Sequence, residues 1–412
     1  MDKKILATLE LADHEVRLIV GQFFNGRLNV LKVERVAHEG IRNFKIINTQ
    51  SVRQAIIKSI TNASENIGGE ITRVLVCLPG VDLQIRDTIQ TVQINQFVTG
   101  QDLENLYERI VSHSRLNNHV LVNANITRFH INGMTTRKVP LNEKCRELTA
   151  EADCYFIDKT VAFDYLKVIE STGLEVLDIV IDDLGLAKEA GLFEQSIHNP
   201  VIAVTLERDT TKLSLFNKGQ LLTNIFTDDA VGMAFEKFES VYGFTADISQ
   251  RLIYYNLDVS NVSPTEDPIF AWNTKKGEHT LSQKDVLDFV GNEVIHLLDQ
   301  IHKTSTPIYE HGEATFMLTG EASVIEGLPE ILKTASQKNV STYVPTTFGV
   351  KDPVFTSMLG VFYHIKDTAV YRKALSSSID ETGFYNKNIY RETKHDTKSE
   401  SFTGRLKNLF ID

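Results

Sequence analysis

The sequence predicts an α/β protein built from two similar halves. Residues 5–33 read as a strand, a polar turn, a strand, an Asn25-Gly26 turn and a third strand, and residues 201–225 repeat the pattern with a turn at Lys218-Gly219. The two meanders begin 196 positions apart, at Ile5 and Val201, which points to a duplication. Segments of helical and strand-like periodicity then alternate after each meander, as in α/β sheets.

In chain order, residues 51–67 carry Val52, Ala55, Ile56 and Ile60 at helical spacing and close on Gly68-Gly69, so a helix is expected. Residues 73–78 are a buried strand stopped by Pro79-Gly80. From 81 to 158 the texture changes to strands near 88–94, 119–131 and 152–157 around one helix that starts near Gln101, a small α+β insert. A helix at 161–171, a strand at 175–181 and a helix from about Leu184 complete the first half. In the second half, 246–256 and 283–302 look helical on either side of a polar, Pro-containing loop at 261–278. Residues 315–318 form a short buried strand ending in Thr319-Gly320, and 345–352 form a loop. Residues 355–364 form a helix whose Gly360 predicts tight packing on a neighbour. From 371 to 400 apolar residues give way to Ser, Lys, Glu, Asn and Thr, which reads as a disordered linker.

At 412 residues the chain has room for several cores, and 42% hydrophobic with 24% charged residues is ordinary for a globular protein. A net charge of −11 argues against nucleic acid as a partner. Cys77, Cys145 and Cys154 show neither CxxC nor metal-ligand spacing, so buried thiols in a reducing cytoplasm and no metal site are expected. Asp2, Glu10 and Asp13 interrupt the first apolar stretch, against a secretory signal, and no window approaches a membrane span.

Paired meanders of this kind are those of the actin, Hsp70 and sugar-kinase architecture. Four stretches, none specific by itself, carry a closer match: Val16 to Gly21 with Gly26 to Val30, Phe97 to Leu106, Leu318 to Ser323 with Gly327 to Glu330, and Val344-Pro345, Gly349, Asp352-Pro353 and Gly360. In order and spacing they resemble FtsA, the actin-like bacterial cell-division family. The resemblance implies two RNase-H-like halves, with residues 1–81 and 159–198 as the first-half core and 199–226 and 312–368 as the second. It also implies an inserted subdomain at 82–158 and a second-half extension at 227–311. A linker at 371–400 and an amphipathic helix at 401–412 follow. Filament formation, a lipid-binding C-terminal helix and docking of the FtsZ tail on the extension are implied as well.

ATP binding in this architecture uses glycine-rich turns, because only glycine lets backbone N–H groups close on phosphate oxygens. The family's first turn runs Asp-Ile-Gly-Thr-Thr-Lys, and the matching stretch is Glu10-Leu11-Ala12-Asp13-His14-Glu15. The second turn, which carries an Asp and three glycines in the family, reads Thr205-Leu206-Glu207-Arg208-Asp209. In the adenosine motif Gly320 is kept and the second glycine is Glu321, while Gly232 remains near the expected phosphate edge. Like charges at ~4 Å repel by about 4 kcal/mol at an effective dielectric of 20. Arg208 and His14 do not outweigh these carboxylates, so Mg-ATP is disfavoured, no cofactor is expected and no catalytic residue is assigned. The pairs Asp182-Asp183 and Asp228-Asp229 read as solvated loop residues, and Trp272 as a local packing anchor.

Phe402, Leu406, Leu409 and Phe410 fall at i, i+4, i+7 and i+8, with Arg405 and Lys407 beside them. That is the pattern of an interfacial helix on an anionic membrane. The expectation is therefore a self-assembling scaffold, without nucleic-acid partners, that tethers FtsZ filaments to the cytoplasmic face of the membrane at the division site. Arg251, Lys275 and Lys276 are candidates for contacts with an acidic partner peptide, with plain surface solvation as the alternative for each. A divergent actin-like ATPase and a pilus-assembly type of actin-like adaptor are the alternatives.

Overall fold

The computed structural model describes residues 4–227, 229–275, 277–309, 312–372, 375–380 and 384. The first half opens with β1 (Ile5–Leu11), β2 (Glu15–Phe24) and β3 (Arg27–Ala37), followed by the short hairpin β4 (Ile41–Arg42) and β5 (Lys45–Ile46). Then come α1 (Thr49–Ile67) and β6 (Arg73–Leu78). The insert is β7 (Gln84–Phe97), α2 (Gly100–His113), β8 (His119–Ile131), β9 (Met134–Thr136) and β10 (Lys144–Asp158). The first half closes with α3 (Lys159–Glu170), β11 (Glu175–Ile181), α4 (Asp182–Ala190) and α5 (Leu192–Gln195).

The second half begins with β12 (Val201–Leu206), β13 (Thr211–Asn217) and β14 (Gln220–Thr227). Its extension holds α6 (Gly232–Tyr242), α7 (Ala246–Asn256), β15 (Pro268–Thr274), β16 (Gly277–Ser282) and α8 (Gln283–Tyr309). β17 (Thr315–Thr319), α9 (Leu328–Ser336), β18 (Asn339–Thr342) and α10 (Thr356–Thr368) return to the core.

The duplication is explicit in the sheets. The first runs β11-β6-β1-β2-β3 and the second β14-β13-β12-β17-β18. In each, an antiparallel meander is extended by two parallel strands on the side of its first strand. The inner strands read as nearly continuous apolar runs because both faces are covered: Ile5, Leu6, Ala7 and Leu9 of β1 are all buried.

The halves meet where α4 crosses α10. A Cβ on Gly360 would lie 1.7 Å from the Gly185 carbonyl oxygen, and one on Gly185 would lie 2.2 Å from that of Ser357. Only glycine permits this approach, as the sequence predicted for Gly360. The insert is a separate antiparallel sheet, β7-β10-β8-β9, packed on α2. Thr99 and Asp102 form a reciprocal capping box that starts α2 beside the expected position. The three cysteines are buried.

Four expectations need correction. The polar stretch 261–278 contains the β15–β16 hairpin, and Trp272 sits within an aromatic cluster with Tyr242, Phe244, Phe270 and His279. Helix α8 continues past residue 302, through Pro307, to Tyr309. Asp182 and Asp183 are not solvated: they open α4, where the helix dipole favours negative charge, and both pair with buried Lys212.

The fourth concerns the linker, whose beginning is docked. β6 pairs with β1 only at Thr8–Glu10, and the groups left open nearer the start of β1 are met by this segment. Ser378 N–H donates to Ile5 O at 2.8 Å, and Ala7 N–H donates to Ser378 Oγ at 2.8 Å. Arg372 pairs with Asp178 at 2.6 Å and the Tyr371 ring packs on Tyr107. Averaged composition hid these few partners. The rest of the linker and the expected helix at 401–412 lie outside the described residues.

Candidate functional site

The sheets bring the turns of both halves face to face. At the end of β1 the chain reverses through Ala12, Asp13 and His14, with Ala12 N–H donating to Glu15 O at 3.0 Å. None of these three residues has positive φ, so this turn has no need of glycine. The Asp13 carboxylate accepts from the N–H groups of Asn43 and Phe44, two consecutive left-handed residues between β4 and β5. Successive N–H groups in that conformation form an anion-binding nest, and a side chain of this protein fills it. Burial raises the Asp13 pKa against the lowering effect of those N–H groups.

Across the cleft, β12 ends at Leu206 and the chain turns through Glu207, Arg208 and Asp209. Gly320 follows β17 with φ of 87°, where a Cβ would lie 2.6 Å from Leu206 O, so this glycine is required by the backbone. Glu321 turns inward: its Oε1 accepts from Arg208 N–H at 3.0 Å and lies 3.0 Å from His14 Nε2. Asp209 faces the other ring nitrogen of His14 at 3.3 Å. Gly232 opens α6 and donates its N–H to Arg208 O at 2.7 Å.

Two arginines of the first half organise the carboxylates. Arg17 on β2 is 2% exposed and bonds Glu15 at 2.6 Å, Glu10 at 3.1 Å and Glu207 at 2.5 Å. Arg35, opposite Arg17 on β3, bonds Glu15 at 2.8 Å and Glu321 at 2.9 Å and approaches Asp352 at 3.5 Å. Guanidinium forks suit this multiple bonding. Glu207 and Glu321 belong to the second half, so each arginine joins the halves. On the other side, Lys212 of β13 reaches Asp182 at 2.6 Å and Asp183 at 3.0 Å, joining them again.

The titration of these groups follows from their neighbours. Burial opposes charge on His14, but the Glu321 and Asp209 carboxylates outweigh it and raise the imidazole to about 9. Glu321 is buried yet held well below the usual carboxylate range by His14, Arg17 and Arg35. Glu207 is pushed up to about 7 by burial and by nearby carboxylates, against the pull of Arg17. His14, Glu15 and Glu321 bring potential metal-ligand atoms within 4.8 Å of one another, but Arg17 and Arg35 already pair with those carboxylates.

The inner end of the cleft, between Glu10, Arg17 and Thr205, is narrow: its cavity of about 70 Å³ has room for a few waters. Beside it, a more open polar cavity of about 670 Å³ is lined by Asp13, Asn43, Arg208, Asp209 and Gly232. The phosphate-facing turns carry carboxylates, and the N–H nest is taken by Asp13.

The structure gathers Glu10, Ala12, Asp13, His14, Glu15, Thr205, Glu207, Arg208, Asp209, Gly232, Gly320 and Glu321 around one cleft or its rim. The electrostatic argument from sequence is corrected, because it omitted Arg17, Arg35 and Lys212. The carboxylates are paired rather than bare. The missed signal was a charge inside an apolar strand: Arg17 in Val16-Arg17-Leu18-Ile19-Val20, opposite Glu10.

The candidate partner contacts separate. Lys275 lines a groove of about 860 Å³ between α6, the β15–β16 hairpin and α8, with Tyr242, Trp272, His279 and Phe289. Arg251 is absent from that lining and pairs on the surface with Asp247 at 3.2 Å. Lys276 and Asp228 lie outside the described residues, as do Phe402, Arg405, Leu406, Lys407, Leu409 and Phe410. Among the described residues no helix is long and apolar enough to cross a membrane.

No protein-family model matches the chain. The cell division protein FtsA of Staphylococcus epidermidis is 22% identical over 418 residues, covering 98% of this chain and 88% of that protein. FtsA of Bacillus subtilis is 21% identical over 381 residues, covering 87% and 83%. Among solved structures, the PilM-PilN type IV pilus biogenesis complex superposes with a TM-score of 0.55 at 11% identity over 87% of this chain and 98% of that one. MreB5 of Spiroplasma citri bound to ADP gives 0.50 at 9% identity, covering 89% and 97%. The paired sheets, the cleft between them and these superpositions define an actin-like fold. Along almost its whole length the sequence is similar to that of FtsA.

Proposed function

We propose that this chain is a cell-division scaffold of the FtsA type, self-assembling and tethering FtsZ filaments to the cytoplasmic membrane with little or no use of ATP. The observation that carries the nucleotide part is the Arg17–Arg35–His14 network, which fills the cleft between the halves with the protein's own charges. The aromatic groove beside Lys275 supports docking of an extended or helical peptide on the second-half extension. The tether role rests on the pattern from Phe402 to Phe410. Four large apolar side chains give roughly 1.5–3 kcal/mol each on full burial, and interfacial insertion gives part of that. One helix would hold weakly, and assembly of many subunits on one surface would multiply it.

The deciding experiment is co-sedimentation of FtsZ with anionic liposomes, comparing the full chain with one ending at Glu400. FtsZ is expected to pellet only with the full chain. FtsZ left in solution by both would overturn the tether and favour the adaptor or ATPase alternatives.

Nucleotide is tested separately by thermal melting. A micromolar site would stabilise the protein by about 4 kcal/mol at a thousandfold excess of ligand. No shift is expected in 1 mM Mg-ATP, roughly that excess over a micromolar site. A rise of several degrees would sink the nucleotide-free reading.

A further inference from the structure

A groove of about 300 Å³ runs along α1, between it and the turn joining α3 to β11. Ile57 and Ile60 supply most of its apolar surface over nearly buried Ile71 and Leu174, and Glu65 and Glu70 also line it. Ile57 is 46% exposed, so a large aliphatic side chain faces solvent on this helix face. Ile57, Ile60, Thr61 and Ser64 follow the i, i+3, i+4, i+7 order of one face, a stripe about 10 Å long.

The chain itself leads to this groove. Ile379 forms a β-bridge with Ile71, which lies in the groove wall. Further on, the Phe384 ring packs so closely on Gly69 that a Cβ there would lie 2.9 Å from Phe384 Cδ2. The last described residue thus sits one position from acidic Glu70. Seventeen residues separate Phe384 from Phe402. A stretch of that length spans about 60 Å when extended and about 20–25 Å on average as a coil, so the apolar segment beyond it is always within reach.

We propose that residues 402–410 dock in this groove when no membrane is present, with Phe402, Leu406, Leu409 and Phe410 toward the apolar surface. The chemistry matches on three counts. As a helix the segment's apolar face is about 12 Å long, close to the α1 stripe. Arg405 and Lys407 flank it, opposite in sign to Glu65 and Glu70. The tether holds it at an effective concentration of order millimolar, so even a weak contact is populated. One apolar face cannot meet groove and lipid together, so docking would hold the segment off the membrane. That consequence rests on the proposed membrane role, whereas the docking does not.

The test uses the full chain with Ile57→Cys and Leu406→Cys and a short bismaleimide, the native cysteines being buried. Without lipid, an intramolecular cross-link is expected well above that of a control pair at exposed Met134 and Leu406. Vesicles of phosphatidylcholine and phosphatidylglycerol should suppress it. In otherwise native protein, Ile57→Asp should raise vesicle affinity by about tenfold, as expected if nine molecules in ten are docked. A yield no higher than the control overturns the proposal, and so does a cross-link that joins two chains, which would make a second copy the occupant. If the cross-link forms but the chain ending at Glu400 binds vesicles equally well, docking stands and the membrane tether falls.

Discussion

Replacing Arg17 by Met is expected to lower the melting temperature by about 10 °C. The guanidinium is almost fully buried and is shared by Glu10, Glu15 and Glu207. Removing one partner of a buried ionic cluster leaves the others uncompensated, at a cost of about 3–5 kcal/mol. In a domain of 150–250 residues each kcal/mol moves the midpoint by about 2–4 °C. The chain has several cores and unfolding need not be two-state, so midpoints should be compared by calorimetry at one scan rate.

Two companion variants identify the cause. Arg17→Lys keeps the charge but loses the three-way fork, and an intermediate midpoint is expected. Adding Glu207→Gln to Arg17→Met should recover part of the loss, because the carboxylate stranded across the cleft is then neutral. Strictly additive losses would mean that Arg17 acts through packing alone, and the bridge between the halves would then be worth little.

The network also shows how far the sequence could be read. The meanders, the α2 cap and the Gly360 crossing rest on local pattern, and each stands where the residues place it. Helix α6 is a residue pattern missed in the sequence, although Ala234, Phe235, Phe238 and Tyr242 fall at helical spacing. The β15–β16 hairpin was hidden because its strands are short and interleaved with polar residues. The docking of residues 377–379 depends on open backbone groups of β1, some 370 positions away, which no local pattern reports. The site failed for the same reason. Glu10, Glu15, Glu207 and Glu321 were each visible as changed residues, but their meaning depended on Arg17 and Arg35. Neither arginine lies in a nucleotide motif, and the partners come from opposite halves of the chain.

The same network should make stability fall as pH rises from about 6.5 to about 9, between the unfolded and folded pKa of His14. His14 is raised from 6.5 to about 9 in the folded protein. A base whose pKa rises on folding contributes stabilisation that is complete below its unfolded value and is lost as pH passes through its folded value. At 1.36 kcal/mol per unit, this shift corresponds to about 3 kcal/mol, an upper figure for a group in so dense a cluster. Glu321 and Asp209, both lowered, act in the opposite sense and only toward acid, where their protonation removes the partners of His14. Glu207, raised from 4.5 to about 7, also loses stabilisation as pH rises, but that loss ends near neutrality, so the loss above pH 7 belongs to the imidazole. It is checked by melting the protein at half-unit steps from pH 7 to 10, beside His14→Gln. The variant should start lower at pH 7 and show a flatter alkaline slope, the two curves converging near pH 10. Parallel curves would show that His14 is not the proton that holds the two halves together.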